Sequence, residues 1–197
     1  LPISEDAPFK PASPYSISKV GTDLLSTFYF QAYGLKTIAT RMFTHTGPRR
    51  GEVFAESTFA KQIALAEKGL ISPVIKVGNL NSMRTWSDVR DAVRAYHLLL
   101  TKNPKFGEVY NIGGTFSATV GDMLNKLISL SPIQDKLEIE VVSSRIRPLD
   151  ADLQIPDTTK FNKHTGWVPE ITFEQTMQDL LDYWREQVSL SNFLVEK

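Results

Sequence analysis

Apolar and polar positions follow two periods along the chain, and their order outlines the fold. After a stretch holding Pro2, Pro8, Pro11 and Pro14, residues Val20, Leu24 and Phe28 recur every four positions. This predicts a helix from Ser13 or Pro14 to a stop at Gly34. The β-branched run KTIATRMF (36–43) predicts a short strand buried on both faces, and the loop THTGPRRGEV follows. A helix over 54–68 points Phe59, Ile63 and Ala66 inward and ends at Gly69. PVIKVG (73–78) reads as a strand and NLNS as a turn. Residues 87–101 form a helix that opens on a Ser/Asp cap, with Val89, Val93, Tyr96 and Leu100 on its inner face and His97 in or beside the core. EVYNIGG (108–114) is a strand closing on a glycine turn, and TVGD (119–122) is a capping box for a helix to about Ser129. LEIEVV (137–142) alternates like a half-exposed strand. Asp157 caps a short helix ending at Gly166, and Thr172 with Gln175 caps the last, 173–187. Strand and helix patterns alternate throughout without an internal repeat, so the class is α/β with a mostly parallel sheet.

Composition narrows the function. Hydrophobic residues make up 42% and charged residues 22% of the 197, the balance of a soluble globular protein. The 22 basic and 22 acidic residues cancel, which points away from nucleic acid or an anionic membrane as partner. There is no apolar run long enough to span a bilayer. The absence of cysteine excludes disulfides and thiolate metal sites, and His45, His97 and His164 lack ligand spacing, so no metal is expected. The opening LPISEDAPFKP has neither an initiator Met nor a signal pattern, and the expectation is that a further segment precedes it.

The candidate chemistry begins in SPYSISKVG (13–21), where Tyr15 and Lys19 stand one helical turn apart on one face. A phenol titrates near pH ~10 and is a poor base, but an ammonium within a few ångströms stabilises the phenolate. The same ammonium can hold a ribose hydroxyl and so position a nicotinamide. The spacing alone is weak, because 6 Tyr and 13 Lys give ~0.4 such pairs by chance. An exposed helix pair is the alternative.

Context carries more than spacing. SPYSISKVGTD, YGLKTIATRMF and THTGPRRGE, followed by GNLNSMRTWSDVRDAVRAYHLLL, EVYNIGG, RPLD and GWVPEITFEQTMQDLLDYW, resemble the extended short-chain dehydrogenase/reductase (NAD-dependent epimerase/dehydratase) family over nearly the whole chain, in the family's order. Within it, HTGPRRGE and GNLNSMRTW are most similar to the GDP-mannose 4,6-dehydratases. The resemblance implies the C-terminal part of a Rossmann-type parallel sheet plus a small mixed α/β substrate-binding domain. It implies NADP or NAD as cofactor, a nucleotide-sugar substrate (a GDP-sugar favoured), a homo-oligomer and a cytoplasmic location. Tyr15 matches the catalytic tyrosine and Lys19 the catalytic and cofactor-binding lysine, while His45 and Arg50 match loop positions that touch the dinucleotide. Arg84, Arg147 and Asp150 match positions that bind the nucleotide and pyrophosphate, and guanidinium forks do pair with phosphate oxygens. The implied reaction is oxidation at sugar C4 assisted by Tyr15, loss of water across C5 and C6, and return of the hydride to C6. A 4-reductase or epimerase shares every one of these motifs, and a non-catalytic nucleotide-sugar-binding or assembly fragment is the other alternative.

Simpler readings stand beside these. Arg49 and Arg50 form a solvated charge run or an oligomer contact, Arg84 pairs with Asp88 or Asp91, and Asp150 caps the following segment. Two positions depart from the dehydratase pattern. Thr44 stands where the family has Asn, and Ser57 and Thr58 stand where the dehydratase has a basic pair, leaving Lys61 to supply that charge to the substrate.

The 11 glycines include neither G-x-G-x-x-G nor G-x-x-G-x-x-G, the turn that cradles a dinucleotide's phosphates. The expected organisation is therefore the end of a dinucleotide-binding domain over 1–50, whose N-terminal part lies upstream. A mainly substrate-binding region covers 51–187, with 87–112 returning to the first domain, and 188–197 is a tail. Turnover by this chain alone is not expected.

Overall fold

A computed structural model describes residues 2–146 and 153–195, with side chains to Leu190. Helix α1 (Pro14–Tyr33) is followed by β1 (Ala39–Met42), β2 (His45–Thr46), α2 (Ala55–Glu67), β3 (Val74–Val77), β4 (Met83–Asp88) and α3 (Val89–Thr101). Then come β5 (Val109–Ile112), β6 (Phe116–Thr119), α4 (Val120–Ser129), β7 (Glu138–Val141), β8 (Leu153–Gln154), α5 (Thr159–Thr165) and α6 (Phe173–Val195). None of the described helices is long and apolar enough to cross a membrane.

Local chemistry sets the helix ends. Ser13 caps α1 reciprocally with Ser16, each hydroxyl accepting from the other's backbone N–H at 3.1 and 2.8 Å, and Pro14 occupies the first turn. Thr119 and Asp122 make the same box at the start of α4. Helix α3 starts at Val89, because Ser87 and Asp88 still belong to β4; the Asp88 carboxylate accepts from the Arg90 N–H at 2.8 Å. Helix α6 runs on to Val195 rather than stopping at 187, with Val188 in the core, so most of the expected tail is helix.

The strands form three small sheets. β1 pairs with β5, β3 with β7, and β4 with β2 and β8, all parallel, while β6 lies antiparallel to β4. β4 is the hub, meeting β8 at Met83–Arg84 and β2 at Ser87–Asp88. The turn after β5 passes so near β4 that a Cβ on Gly114 would sit 1.9 Å from the Trp86 carbonyl oxygen, so only glycine fits there.

Apolar side chains gather in two clusters. One joins α2, β3, β4, α4 and α6 through residues such as Ile63, Ile75, Trp86, Leu124 and Leu180. The other joins Ala95 and Leu99 of α3 with Tyr110 and Ile112 of β5, and with Phe161 and Trp167. Helix α5 thus packs beside β5, within the same body as α3. Asp91 secures the chain after it: its carboxylate accepts from the Glu170 and Ile171 N–H groups at 3.0 Å, and its carbonyl from the Trp167 indole at 3.1 Å.

Three burial expectations are corrected. Helix α3 turns its small side chains, Ala92 and Ala95, inward with Leu99, while Val93, Tyr96, His97 and Leu100 face out. Alanine lets the helix approach the β1–β5 pair closely, which the bulkier face cannot do. Helix α1 buries none of its residues, and Leu24 and Phe28 are more than half exposed. In β1 only Ala39 is buried, the other three being half-buried.

Candidate active site

Helix α1 holds Tyr15 and Lys19 on one face, with the Lys19 ammonium 5.3 Å from the Tyr15 ring centroid. Tyr15 is 71% exposed, so its phenol is open to a ligand. The helix is tied to the sheet by a fork between Arg41 on β1 and Asp23 on α1, at 2.8 and 3.1 Å. Arg41 also donates to the Glu5 carbonyl oxygen, which anchors the N-terminal loop.

A cleft of about 1020 Å³ opens where three parallel strands end. Thr44 follows β1, Gly78 and Asn79 follow β3, and Arg145 follows β7. Arg50, Glu52 and Phe54 come from the loop before α2, Glu56, Phe59 and Lys61 from α2 itself, and Arg84 and Trp86 from β4. Ligands of open α/β sheets bind beyond the carboxyl ends of strands, and this cleft has that placement. Four cations face two carboxylates along its lining, a net charge of +2.

The cleft is braced from within. Arg50 stacks on Phe54, its guanidinium carbon 3.4 Å from the ring centroid, and donates to the buried Glu56 carboxylate at 3.2 Å. Ser57 donates to the Arg50 carbonyl oxygen at 2.9 Å and Thr58 to the Glu52 carbonyl oxygen at 2.6 Å. The two hydroxyl residues that stand in place of a basic pair therefore pin the arginine loop to α2. Lys61 pairs with Glu52 and lies 5.5 Å from the Trp184 ring centroid. Arg84 donates to the Met83 carbonyl oxygen at 3.0 Å.

Beside the cleft, Asp88 ties β4 to α6. Its buried carboxylate takes a fork from Arg90 at 2.8 and 2.8 Å and the Thr176 hydroxyl at 2.8 Å, and Arg90 reaches on to Asp179 at 2.6 Å. Burial pushes the Asp88 carboxyl up, but the bonds from Arg90 and Thr176 outweigh it and hold it below the usual carboxylate value. Asp88 and Asp91 thus pair with Arg90 and Arg94, not with Arg84.

The structure therefore brings Thr44, Arg50, Lys61 and Arg84 together in one cleft. Arg50, matched by sequence to the dinucleotide, lies there among the residues matched to the substrate. Tyr15, Lys19 and His45 are not on the cleft lining. His45 is half-buried on β2, its Nδ1 donating to the Phe43 carbonyl oxygen at 3.2 Å, which leaves Nε2 as the ring's other polar atom. Arg147 and Asp150 lie outside the described residues. Sequence reasoning passed over Arg145, Phe54 and the Glu52–Glu56 pair; the arginine two positions before Arg147 was the visible signal for the first.

Parallel strands flanked by helices, with a cationic cleft beyond the strand ends, define a Rossmann-type α/β protein. The chain belongs to the GDP-mannose 4,6 dehydratase family, whose model matches residues 1–180. It is 29% identical over 188 residues to the GDP-6-deoxy-D-mannose reductase of Pseudomonas aeruginosa, covering 95% of this chain and 61% of that protein. It is also 29% identical over 181 residues to GDP-mannose 4,6 dehydratase 1 of Arabidopsis thaliana, covering 92% and 49%. Among solved structures it resembles RMD from Pseudomonas aeruginosa complexed with NADPH, with a TM-score of 0.84 and 28% identity over 95% of this chain and 61% of that one. The chain thus spans about half to three fifths of the length of these relatives.

Proposed function

We propose that the cleft binds the diphosphate of a nucleotide sugar, a GDP-sugar in preference, and that Tyr15 and Lys19 serve NAD(P)-dependent redox chemistry at the sugar's C4. One observation carries this reading: Thr44, Lys61 and Arg84, expected at the nucleotide sugar, converge with Arg50, matched to the dinucleotide, on a single cleft of net charge +2. A nucleotide sugar's diphosphate carries about two negative charges at neutral pH, and guanidinium forks suit its oxygens.

The donor set of α1 fits the nicotinamide end of a dinucleotide. An exposed phenol beside an ammonium is the pair such chemistry needs, Lys19 to hold the ribose hydroxyls and Tyr15 to exchange a proton with the sugar's C4 hydroxyl. His45, the first residue of β2, is a second contact for the dinucleotide. When bound, the dinucleotide supplies the hydride acceptor and donor. Arg50, Lys61 and Arg84 fix the substrate through its phosphates, so binding energy far from C4 orients the reacting carbon.

A 4,6-dehydratase is the first reading, on the family match. A 4-reductase is the second, favoured by an equal 29% identity to a reductase. The body containing β1, α3 and β5 belongs to the dinucleotide side, and the body of α2, α4 and α6 to the substrate side. The exposed apolar face of α1 is assigned to contact with a second copy.

Calorimetry on the 197-residue chain with GDP, UDP and NADPH tests the reading. Binding of GDP that weakens as salt is added is expected. A chain that binds no nucleoside diphosphate at low salt overturns it. Turnover of GDP-mannose by the chain alone is not expected, since its sequence holds no glycine-rich phosphate turn.

A further inference from the structure

We propose that Arg145, which no family motif assigns, is a phosphate-binding residue of the cleft and grips the diphosphate from beyond the end of β3. The inference rests on the cleft's reading as a nucleotide-sugar site and adds the residue that supplies its uncommitted charge.

The cations of the cleft differ in what already holds them. Arg50 shares its charge with Glu56, and Lys61 with Glu52. Arg145 has no carboxylate partner among the described residues; a single guanidinium nitrogen donates to the Lys76 carbonyl oxygen at 2.7 Å. A guanidinium has five N–H donors in a fixed fork, so most of them remain for a ligand. Removing Arg145 would leave the lining at +1, less than the diphosphate's charge.

Its backbone is held in place before any ligand arrives. Strand β7 runs parallel to β3 in register, Val141 opposite Val77, and the Val142 N–H donates to the Val77 carbonyl oxygen at 2.9 Å. A single 3₁₀ turn, Ser143–Arg145, then folds the chain over the end of β3, with the Arg145 N–H donating to the Val142 carbonyl oxygen at 3.0 Å. The Lys76 bond orients the side chain along the rim. Such preorganisation spares the entropy of ordering a long side chain on binding.

The alternative is that Arg145 only braces the end of β3. Calorimetric titration of GDP into the full chain separates the two, comparing wild type with Arg145→Gln and Arg145→Lys. About tenfold weaker GDP binding is expected for Arg145→Gln, the size of one lost charge-assisted hydrogen bond. The Lys variant should fall between, because it keeps the charge and loses the fork. Melting temperatures should stay level across the three. Undiminished GDP affinity in Arg145→Gln, with the wild type binding normally, overturns the assignment and leaves the brace. Absence of GDP, UDP and dTDP binding by the wild type overturns the nucleotide-sugar reading and this inference with it.

Discussion

The carbonyl oxygen of Arg145 lies against the Cα of Gly78, so near that a Cβ at position 78 would stand 2.5 Å from it. The end of β3 and the turn after β7 therefore close one wall of the cleft only because position 78 has no side chain. Gly78→Ala must push the 143–146 turn away or strain β3. The expected cost is about 1–3 kcal/mol of stability, as for other insertions into packed structure, read by urea denaturation. GDP affinity should fall in the same variant, because the turn carries Arg145. A variant as stable and as tight-binding as wild type would show that the wall moves freely.

Asp88 gives stability a defined acid limb. Its carboxyl is held below the ordinary value of 3.8 in the fold, so the unfolded chain binds its proton first as pH falls. Its contribution is complete above about pH 4 and is lost as pH drops through the lower folded value. Asp88→Asn should cost about 1.5–3 kcal/mol at pH 7, the range for hydrogen bonds to a charged group. The difference from wild type should shrink on acidification below pH 4, in denaturant titrations at a series of pH values. A difference that stays constant down to pH 2 would mean that the Arg90 fork contributes nothing through charge.

Much of this architecture was legible in the chain, and the failures have physical causes. The starts of α1, α3 and α4 carry side-chain caps, while α2 has none and is marked by its apolar face, and all four form near the expected positions. Strand β4 was missed because it buries polar residues instead of alternating. Thr85, Ser87 and Asp88 are all buried, satisfied by Ser117, the Thr44 carbonyl and Arg90. Such a strand shows no period, and tertiary partners decide it. The inner face of α3 was misjudged because a helix with two apolar stripes has no preferred side in sequence, and close packing chose the alanines. The cleft was legible in part, since Thr44, Lys61 and Arg84 do converge, while Arg50, expected at the dinucleotide, joins them. Arg145 was not, because its place depends on the pairing of β7 with β3, a contact about 64 positions apart in sequence.

Tyr15 and Lys19 should separate chemistry from binding. Both are exposed on α1 and neither lines the cleft, so Tyr15→Phe and Lys19→Met should leave stability within about 0.5 kcal/mol and GDP affinity unchanged. In any assembly that turns over a nucleotide sugar, Tyr15→Phe should lower the rate by about 10²–10⁴, the span of positioned acid–base catalysis. Calorimetry and a coupled nicotinamide absorbance assay read the two quantities. A large loss of GDP affinity in Tyr15→Phe would place the phenol in the phosphate site and refute the division of labour.

The last prediction concerns the open face of α1. Leu24, Leu25 and Phe28 are each more than half exposed, and Phe28 meets Tyr29 and Tyr33 edge-on at 5.6 and 5.9 Å, with Tyr29 tilted against Tyr33 at 5.6 Å on the same helix. An apolar strip of this kind is stable in water when something covers it, and a second copy of the helix supplies a matching face. Sedimentation of the chain should therefore show association that rises with concentration. Phe28 contributes little to its own core, so Phe28→Glu should fold normally. In a two-fold interface it removes one buried ring from each copy and inserts a charge. The dimer constant should then weaken by at least about 100-fold, taking about 1.5–3 kcal/mol for each ring. Wild-type chain that stays monomeric at the highest concentration reached, or Phe28→Glu that associates as wild type does, would show that this face is covered by something other than itself.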